Sequence, residues 1–202
     1  MSAAARLFDF LQGADFYRAL HEEAANCLAD GAGRRWLDVG CGPGLLTRIA
    51  ARKAYAARGI DADAAMIETA RRLAACGGGV VFERASLAEV AAAPERYDVV
   101  SASSLLVVTS DPAAALSQIM SLVAPGGVAL IIEASQKMSV RGAAAAIASG
   151  RLGRRAFMML VWALARSDRA LPDDILAQSG FEARRQPLLG GFANAWIVER
   201  RA

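Results

Sequence analysis

The sequence predicts an α/β domain: a doubly wound, mainly parallel sheet of seven strands with a C-terminal antiparallel hairpin and a helical N-terminal cap. Three observations lead there. Short apolar runs alternate with amphipathic stretches of about 10–15 residues, the pattern of repeated βαβ units. A glycine-rich turn stands directly between one such run and the helix after it. The composition, 55% hydrophobic and 21% charged over 202 residues, suits a single domain over 1–202 and excludes a disordered or collagen-like chain.

The elements follow in order. Residues 3–30 read as two helices broken near Gly13, forming a cap over 1–30. Residues 36–39 (WLDV) form a short apolar strand, 44–54 a helix and 55–60 a second strand. Over 63–75, Met66, Ile67, Ala70 and Leu73 share one helical face, and the glycines at 77–79 stop the helix. Residues 80–83, 97–102 and 128–133 are further strands. Between the last two lies a helix over 111–123, ended by Pro125-Gly126-Gly127. The period then changes. Residues 140–166 read as one long helical stretch inside a cover or lid over 136–178. The strands 181–187 and 192–199, joined through Gly190-Gly191, make the hairpin at the sheet edge.

The net charge of +3 and pI near 9.0 raise the question of a nucleic-acid partner. Residues 1–133 carry 12 Lys/Arg against 15 Asp/Glu, while 134–202 carry 11 against 5, so the basicity belongs to the last third. No basic patch interleaved with aromatics accompanies it, and no nucleic acid is expected. His21 is the only histidine, and Cys27, Cys41 and Cys76 are scattered, which leaves no paired spacing for a metal. The opening lacks a basic start followed by an apolar core, and the apolar run 156–165 is half the ~20 residues of a membrane span. A cytoplasmic protein is expected. The run 156–165 is flanked by Arg151, Arg154, Arg155, Arg166 and Arg169, so a buried cover, a lid over an apolar substrate and an interfacial helix all fit it.

The sharpest feature is Asp38-Val39-Gly40-Cys41-Gly42-Pro43-Gly44 between strand and helix. Glycine there lets the chain turn tightly and lets a ligand approach the backbone. The spot lies beyond the carboxyl ends of the strands, where open α/β sheets bind ligands. A dinucleotide fingerprint would place its third glycine at Leu45. The spacing is G-x-G-x-G instead, with Asp61 at the end of the next strand, where a carboxylate can accept bonds from two ribose hydroxyls.

Residues 36–44 (WLDVGCGPG), 61–71 (DADAAMIETAR), 98–111, 124–127 (APGG) and 179–181 (SGF), in that order, resemble the class I S-adenosylmethionine-dependent methyltransferases. The likeness covers roughly 8–199 and is nearest the small-molecule branch of ubiquinone and menaquinone methyltransferases. It implies a Rossmann-like sheet, S-adenosylmethionine as cofactor and a small-molecule substrate. By resemblance, Gly40, Gly42 and Gly44, with Cys41 between them, line the methionine and ribose end. Asp38 orients the amino group, and Asp61 holds the ribose. Ala62 and Met66 flank adenine, and the backbone around Ser101 and Ala102 lies near the methionine moiety. Tyr17 stands where relatives place an aromatic over the cofactor; a core aromatic is the other reading of it. Met66 equally suits plain helix packing.

Two departures stand out. Relatives often have an acidic residue where this chain has Ser86; its hydroxyl can still accept from the adenine amine, with the Leu87 N–H serving the ring. At Val107-Val108 relatives are often polar, so the front of the pocket is expected to be apolar.

Catalytic residues stay unassigned. His21 is the candidate base by pKa, yet beside Glu22 and Glu23 it reads as a histidine on a solvated helix face. Glu133 reads as a strand-end carboxylate, with substrate contact as the alternative. Cys41, with no acid–base partner nearby, reads as a small filler. The expectation is methyl transfer by in-line displacement to a small, rather apolar acceptor. A membrane-associated lipid or quinone methyltransferase and a non-catalytic cofactor-binding member of the fold are the alternatives. A peripheral membrane contact and the oligomeric state stay open.

Overall fold

The computed structural model describes residues 10–75, 79–150, 152–166 and 181–200. Cys76, Arg151, Arg169, Ser179-Gly180 and residues 1–9 of the cap lie outside the described residues, as do the side chain of Arg166 and most of the helix-stopping glycines.

The described residues form seven strands: β1 (Arg35–Val39), β2 (Ala56–Asp61), β3 (Val80–Arg84), β4 (Tyr97–Ser103), β5 (Val123–Ala134), β6 (Ala183–Leu188) and β7 (Ala193–Glu199). They form one sheet in the order β3-β2-β1-β4-β5-β7-β6. β1 to β5 pair in parallel, whereas β7 runs antiparallel to both β5 and β6. The order reverses between β1 and β4, which leaves a crevice at their carboxyl ends. The doubly wound sheet and its terminal hairpin therefore stand as the sequence predicts.

The helices are α1 (Asp15–Asn26), α2 (Leu45–Arg52), α3 (Ala64–Ala74), α4 (Leu87–Ala91), α5 (Pro112–Leu122), α6 (Val140–Ala148) and α7 (Met158–Arg166). Apolar residues on both strand faces explain why they cover both sides. Trp36 and Leu130 join a cluster with Phe16 and Ile49, while their neighbours Leu37 and Ile131 join Leu116 and Ile119 opposite. Several starts are fixed by side chains that satisfy free helix amides: Asp63 accepts from the Ala65 N–H, Asp111 from Ala114 and Ser139 from Gly142.

Three elements differ from expectation. The stretch 140–166 is two helices, because Gly150 and Gly153 adopt left-handed φ of 69° and 68° and end the first. The turn is held by α1: Asp15 accepts from the Arg154 backbone N–H at 2.7 Å. α4 was not foreseen, although Ser86 and Glu89 form a capping box around its first turn. β5 begins at Val123, which pairs with Tyr97 ahead of an irregularity containing the Pro125-Gly126-Gly127 turn. A Cβ on Gly127 would meet the Asp98 carbonyl at 2.8 Å, so that strand approach requires glycine.

The cap breaks at Gly13, as expected, and α1 packs on α2. α7 closes over α1, with Trp162 stacked on Phe16 at 6.3 Å and edge-on to Tyr17 at 5.7 Å. On α7, Met158, Met159, Trp162 and Ala163 are buried while Leu164 is exposed, as is Phe157 just before the helix. Among the described residues no helix is long and apolar enough to cross a membrane.

Candidate functional site

A cavity of about 400 Å³ opens at the carboxyl ends of β1, β2 and β4, within the range of small-molecule sites. Its floor is the loop that joins β1 to α2. Gly40, Gly42 and Gly44 have φ of 66°, 52° and 79°, so every second residue is left-handed. That alternation is the physical reason for G-x-G-x-G, since a side chain in this region is strained. A Cβ on Gly42 would meet nothing within 4 Å, whereas one on Gly44 would strike the Phe82 ring at 2.4 Å. Gly42 therefore leaves room for a ligand, and Gly44, which lies outside the cavity lining, brings α2 close to β3.

The loop is tied to the next strand. The Cys41 N–H donates to the Ile60 carbonyl at 2.9 Å. Asp61 accepts from the Gly42 N–H through Oδ2 and from the Asp63 N–H through Oδ1, both at 2.9 Å. Burial raises the Asp61 carboxyl above its ordinary value against these two bonds, which favour the charged form. Ala62 and Met66 follow on the same wall, Met66 buried.

Asp38 lines the cavity and is buried. Its Oδ1 accepts from Ser101 Oγ and its Oδ2 from Thr47 Oγ1, each at 2.7 Å. Burial pushes its pKa up to about 6 despite both bonds. Ser101 itself is fully buried behind Asp38, where it also accepts from Trp36 Nε1 at 2.8 Å. It lies outside the cavity lining; Ser103, Ser104 and Leu105, past the end of β4, take the place beside the cavity. Ser86 and Leu87 are on the wall, with the Ser86 hydroxyl donating to Glu89 Oε2 at 2.7 Å and accepting from the Glu89 N–H. Cys41 lines the cavity, and burial raises its thiol far above the ordinary value, so no thiolate nucleophile forms there.

The expectation for His21 is overturned. It is 3% exposed and lines the cavity. Its Nδ1 lies 2.8 Å from the Tyr17 carbonyl and its Nε2 3.1 Å from Ser103 Oγ. Tyr17 is buried, lines the cavity and lays its ring 4.4 Å from the imidazole. α1 turns His21 inward and leaves Glu22 and Glu23 on its outer side, so polar sequence neighbours misreport the burial. Glu133 is buried and accepts from the Leu106 N–H at 2.9 Å; it stands outside the cavity lining and fixes the turn after β4. Val108 lines the mouth and is exposed.

Gln12 was missed by sequence reasoning. It lines the cavity, and its Oε1 accepts from Arg48, which also donates to the Pro43 carbonyl at 2.6 Å. No sequence motif marks it; only the fold brings the cap to the loop.

A methyltransferase-domain family model matches residues 10–168. The chain belongs to that family. Among curated relatives, a ubiquinone biosynthesis O-methyltransferase of Alkalilimnicola ehrlichii is 39% identical over 105 residues, 51% of this chain and 42% of that protein. One of Stutzerimonas stutzeri is 36% identical over 98 residues, 48% and 42% of the two chains. The matches thus span about two fifths of these relatives' length. Among solved structures, a SAM-dependent methyltransferase of Aquifex aeolicus superposes with a TM-score of 0.69 at 14% identity, covering 99% of this chain and 100% of that one. The magnesium protoporphyrin IX methyltransferase of Synechocystis, with bound SAH, gives 0.64 at 17%, covering 98% and 95%. The fold is that of the class I methyltransferases.

The residues present fit an S-adenosylmethionine cofactor. Open space at Gly42, a carboxylate at the loop rim in Asp61 and apolar surface at Met66 are what a methionine chain, a ribose and a purine would need.

Proposed function

We propose that the protein is an S-adenosylmethionine-dependent methyltransferase acting on a small, rather apolar acceptor that bears a hydroxyl. The observation that carries this reading is the Asp61–Gly42 bond, which fixes a ribose-accepting carboxylate against a glycine loop with room for a ligand. The O-methyltransferase relatives favour a hydroxyl acceptor. The Val108 side chain at the mouth and Leu105 inside favour an apolar one.

When bound, the cofactor supplies an already activated methyl group on a sulfonium. What the chain contributes is position and dryness. Gly40, Cys41 and Gly42 present backbone to the methionine end, and Asp38 accepts from its amino group. Asp61 accepts from the ribose hydroxyls, Ala62 and Met66 flank adenine, and Ser86 with the Leu87 N–H serves its edge. Tyr17, held by the edge of Trp162 on α7, excludes water from above. The test is transfer of tritiated methyl from S-adenosylmethionine to a panel of small phenols and aliphatic alcohols. Label in the extracted products supports the reading, and a panel-wide blank with cofactor bound contradicts it.

A second reading is a lipid or quinone methyltransferase that works at a membrane surface. The Phe10 and Phe157 rings, both exposed, lie 6.0 Å apart, and the Arg155 guanidinium stands 4.1 Å over Phe10. Aromatic and arginine side chains so paired suit an anionic interface. Salt-sensitive sedimentation with phosphatidylglycerol vesicles supports it, and indifference to vesicles removes it.

A further inference from the structure

We propose that Ser103 and His21 form a proton relay that takes the acceptor's proton, with Ser103 touching the acceptor and His21 acting through it; this rests on the methyltransferase reading. The geometry settles the direction of each bond. The Tyr17 carbonyl can only accept, so His21 Nδ1 carries the proton in the 2.8 Å contact. A neutral imidazole protonated at Nδ1 has its lone pair at Nε2, and the group facing that lone pair at 3.1 Å is the Ser103 hydroxyl. Ser103 must then donate to His21, which turns its oxygen lone pairs toward the cavity that both residues line.

Three contacts hold the ring in this state. The Nδ1 bond fixes the tautomer, the Tyr17 ring 4.4 Å away fixes the plane, and burial at 3% exposure keeps bulk water from competing. α1 supplies the base and the end of β4 supplies the hydroxyl, so the relay exists only when the cap is docked. Asp38 and Asp61 line the same cavity, but each oxygen already accepts one bond, from Ser101, Thr47, Gly42 or Asp63, and the proposed cofactor's amino group and ribose take up what remains.

The step balances. The acceptor oxygen forms its bond to the methyl carbon as the sulfur–carbon bond breaks. The acceptor's proton passes to Ser103 Oγ while the Ser103 proton passes to His21 Nε2. The positive charge lost at sulfur reappears as imidazolium, whose Nδ1–H bond to the Tyr17 carbonyl strengthens with charge. An oxygen that has gained a methyl and kept its proton is a strong acid, so even a weak base suffices provided it is neutral beforehand. Burial lowers the His21 pKa to about 4, against the backbone hydrogen bond that raises it, and so supplies that neutrality.

Because His21 is the chain's only histidine, its ring nitrogens can be read directly in ¹⁵N-histidine-labelled protein. The probe is phenol titrated into the full chain loaded with S-adenosylhomocysteine, with anisole, its methyl ether, as the control. The expected spectrum at neutral pH is a single Nδ1–H tautomer. Phenol should shift Nε2 and leave Nδ1 almost unmoved, and anisole should shift neither. Ser103→Ala should abolish the phenol response while leaving S-adenosylhomocysteine affinity within about twofold, and Ser103→Thr should retain the response. An Nε2–H tautomer, a charged ring, or an Nε2 signal blind to phenol in cofactor-loaded protein overturns the relay. Failure of wild type to bind S-adenosylhomocysteine at all overturns the functional reading instead, and calorimetry on the same sample separates the two.

Discussion

The carboxylate of Asp61 accepts from the Gly42 amide at 2.9 Å across a sequence separation of 19 residues, so the tip of β2 is tied directly to the glycine loop. With the second bond, from the Asp63 amide, the same side chain also shapes the entry to α3. Asp61→Ala leaves two amides to water at a half-exposed rim. A loss of about 1 kcal/mol in urea unfolding is expected, smaller than for a buried charge-assisted pair.

Gly42 and Gly44 separate binding from folding. Gly44→Ala puts a Cβ 2.4 Å from Phe82 at a φ of 79°, combining overpacking with left-handed strain, and should cost about 3 kcal/mol. Gly42→Ala meets no protein atom within 4 Å, so only the strain of about 1 kcal/mol applies to stability. Its larger effect should be on S-adenosylmethionine affinity, weakened at least tenfold. Paired denaturation and calorimetry check both halves.

Ser101 is a keystone between Trp36 and Asp38. Ser101→Ala strips a buried indole N–H of its acceptor and a buried carboxylate of a donor. A cost of about 2–3 kcal/mol follows from leaving buried polar groups unmet. The Asp38 carboxyl, already up to about 6, should rise further because one of the bonds that lowers it is gone. Carbonyl-carbon NMR of that residue against pH reads the shift.

His21 imposes a pH dependence of known sign. Its value falls from 6.5 to about 4 on folding, so between these values the unfolded chain binds a proton that the folded chain does not. Stability contributed by the neutral ring is complete above about pH 6.5 and is lost as pH falls toward 4. The shift corresponds to about 3 kcal/mol. His21→Phe removes this term, so its unfolding free energy relative to wild type should climb by that amount on acidification. Asp38 works in the opposite sense, but it is present in both proteins and cancels from the difference.

Local signals carried most of the fold into view. The glycine loop was legible because three left-handed positions demand glycine at alternate residues, and the strands were legible because Trp36-Leu37 and Leu130-Ile131 are apolar on both faces. What escaped depends on contacts between distant segments. His21 and Ser103 are 82 residues apart, and nothing in the sequence between Glu22 and the polar face of α1 marks the ring as buried. The break in 140–166 was written in Gly150 and Gly153, but apolar periodicity on either side hid it until Asp15 was seen holding the turn. The Ser86–Glu89 capping box was also there to be read.

Under the proposed function, the glycine loop and Asp61 hold S-adenosylmethionine. Calorimetric titration of S-adenosylmethionine and S-adenosylhomocysteine into wild type and Asp61→Ala tests it most directly. Micromolar binding by wild type, weakened at least tenfold by the substitution in a protein whose circular dichroism is unchanged, is the predicted result. Folded wild type that binds neither ligand, or binding that Asp61→Ala leaves intact, would contradict it.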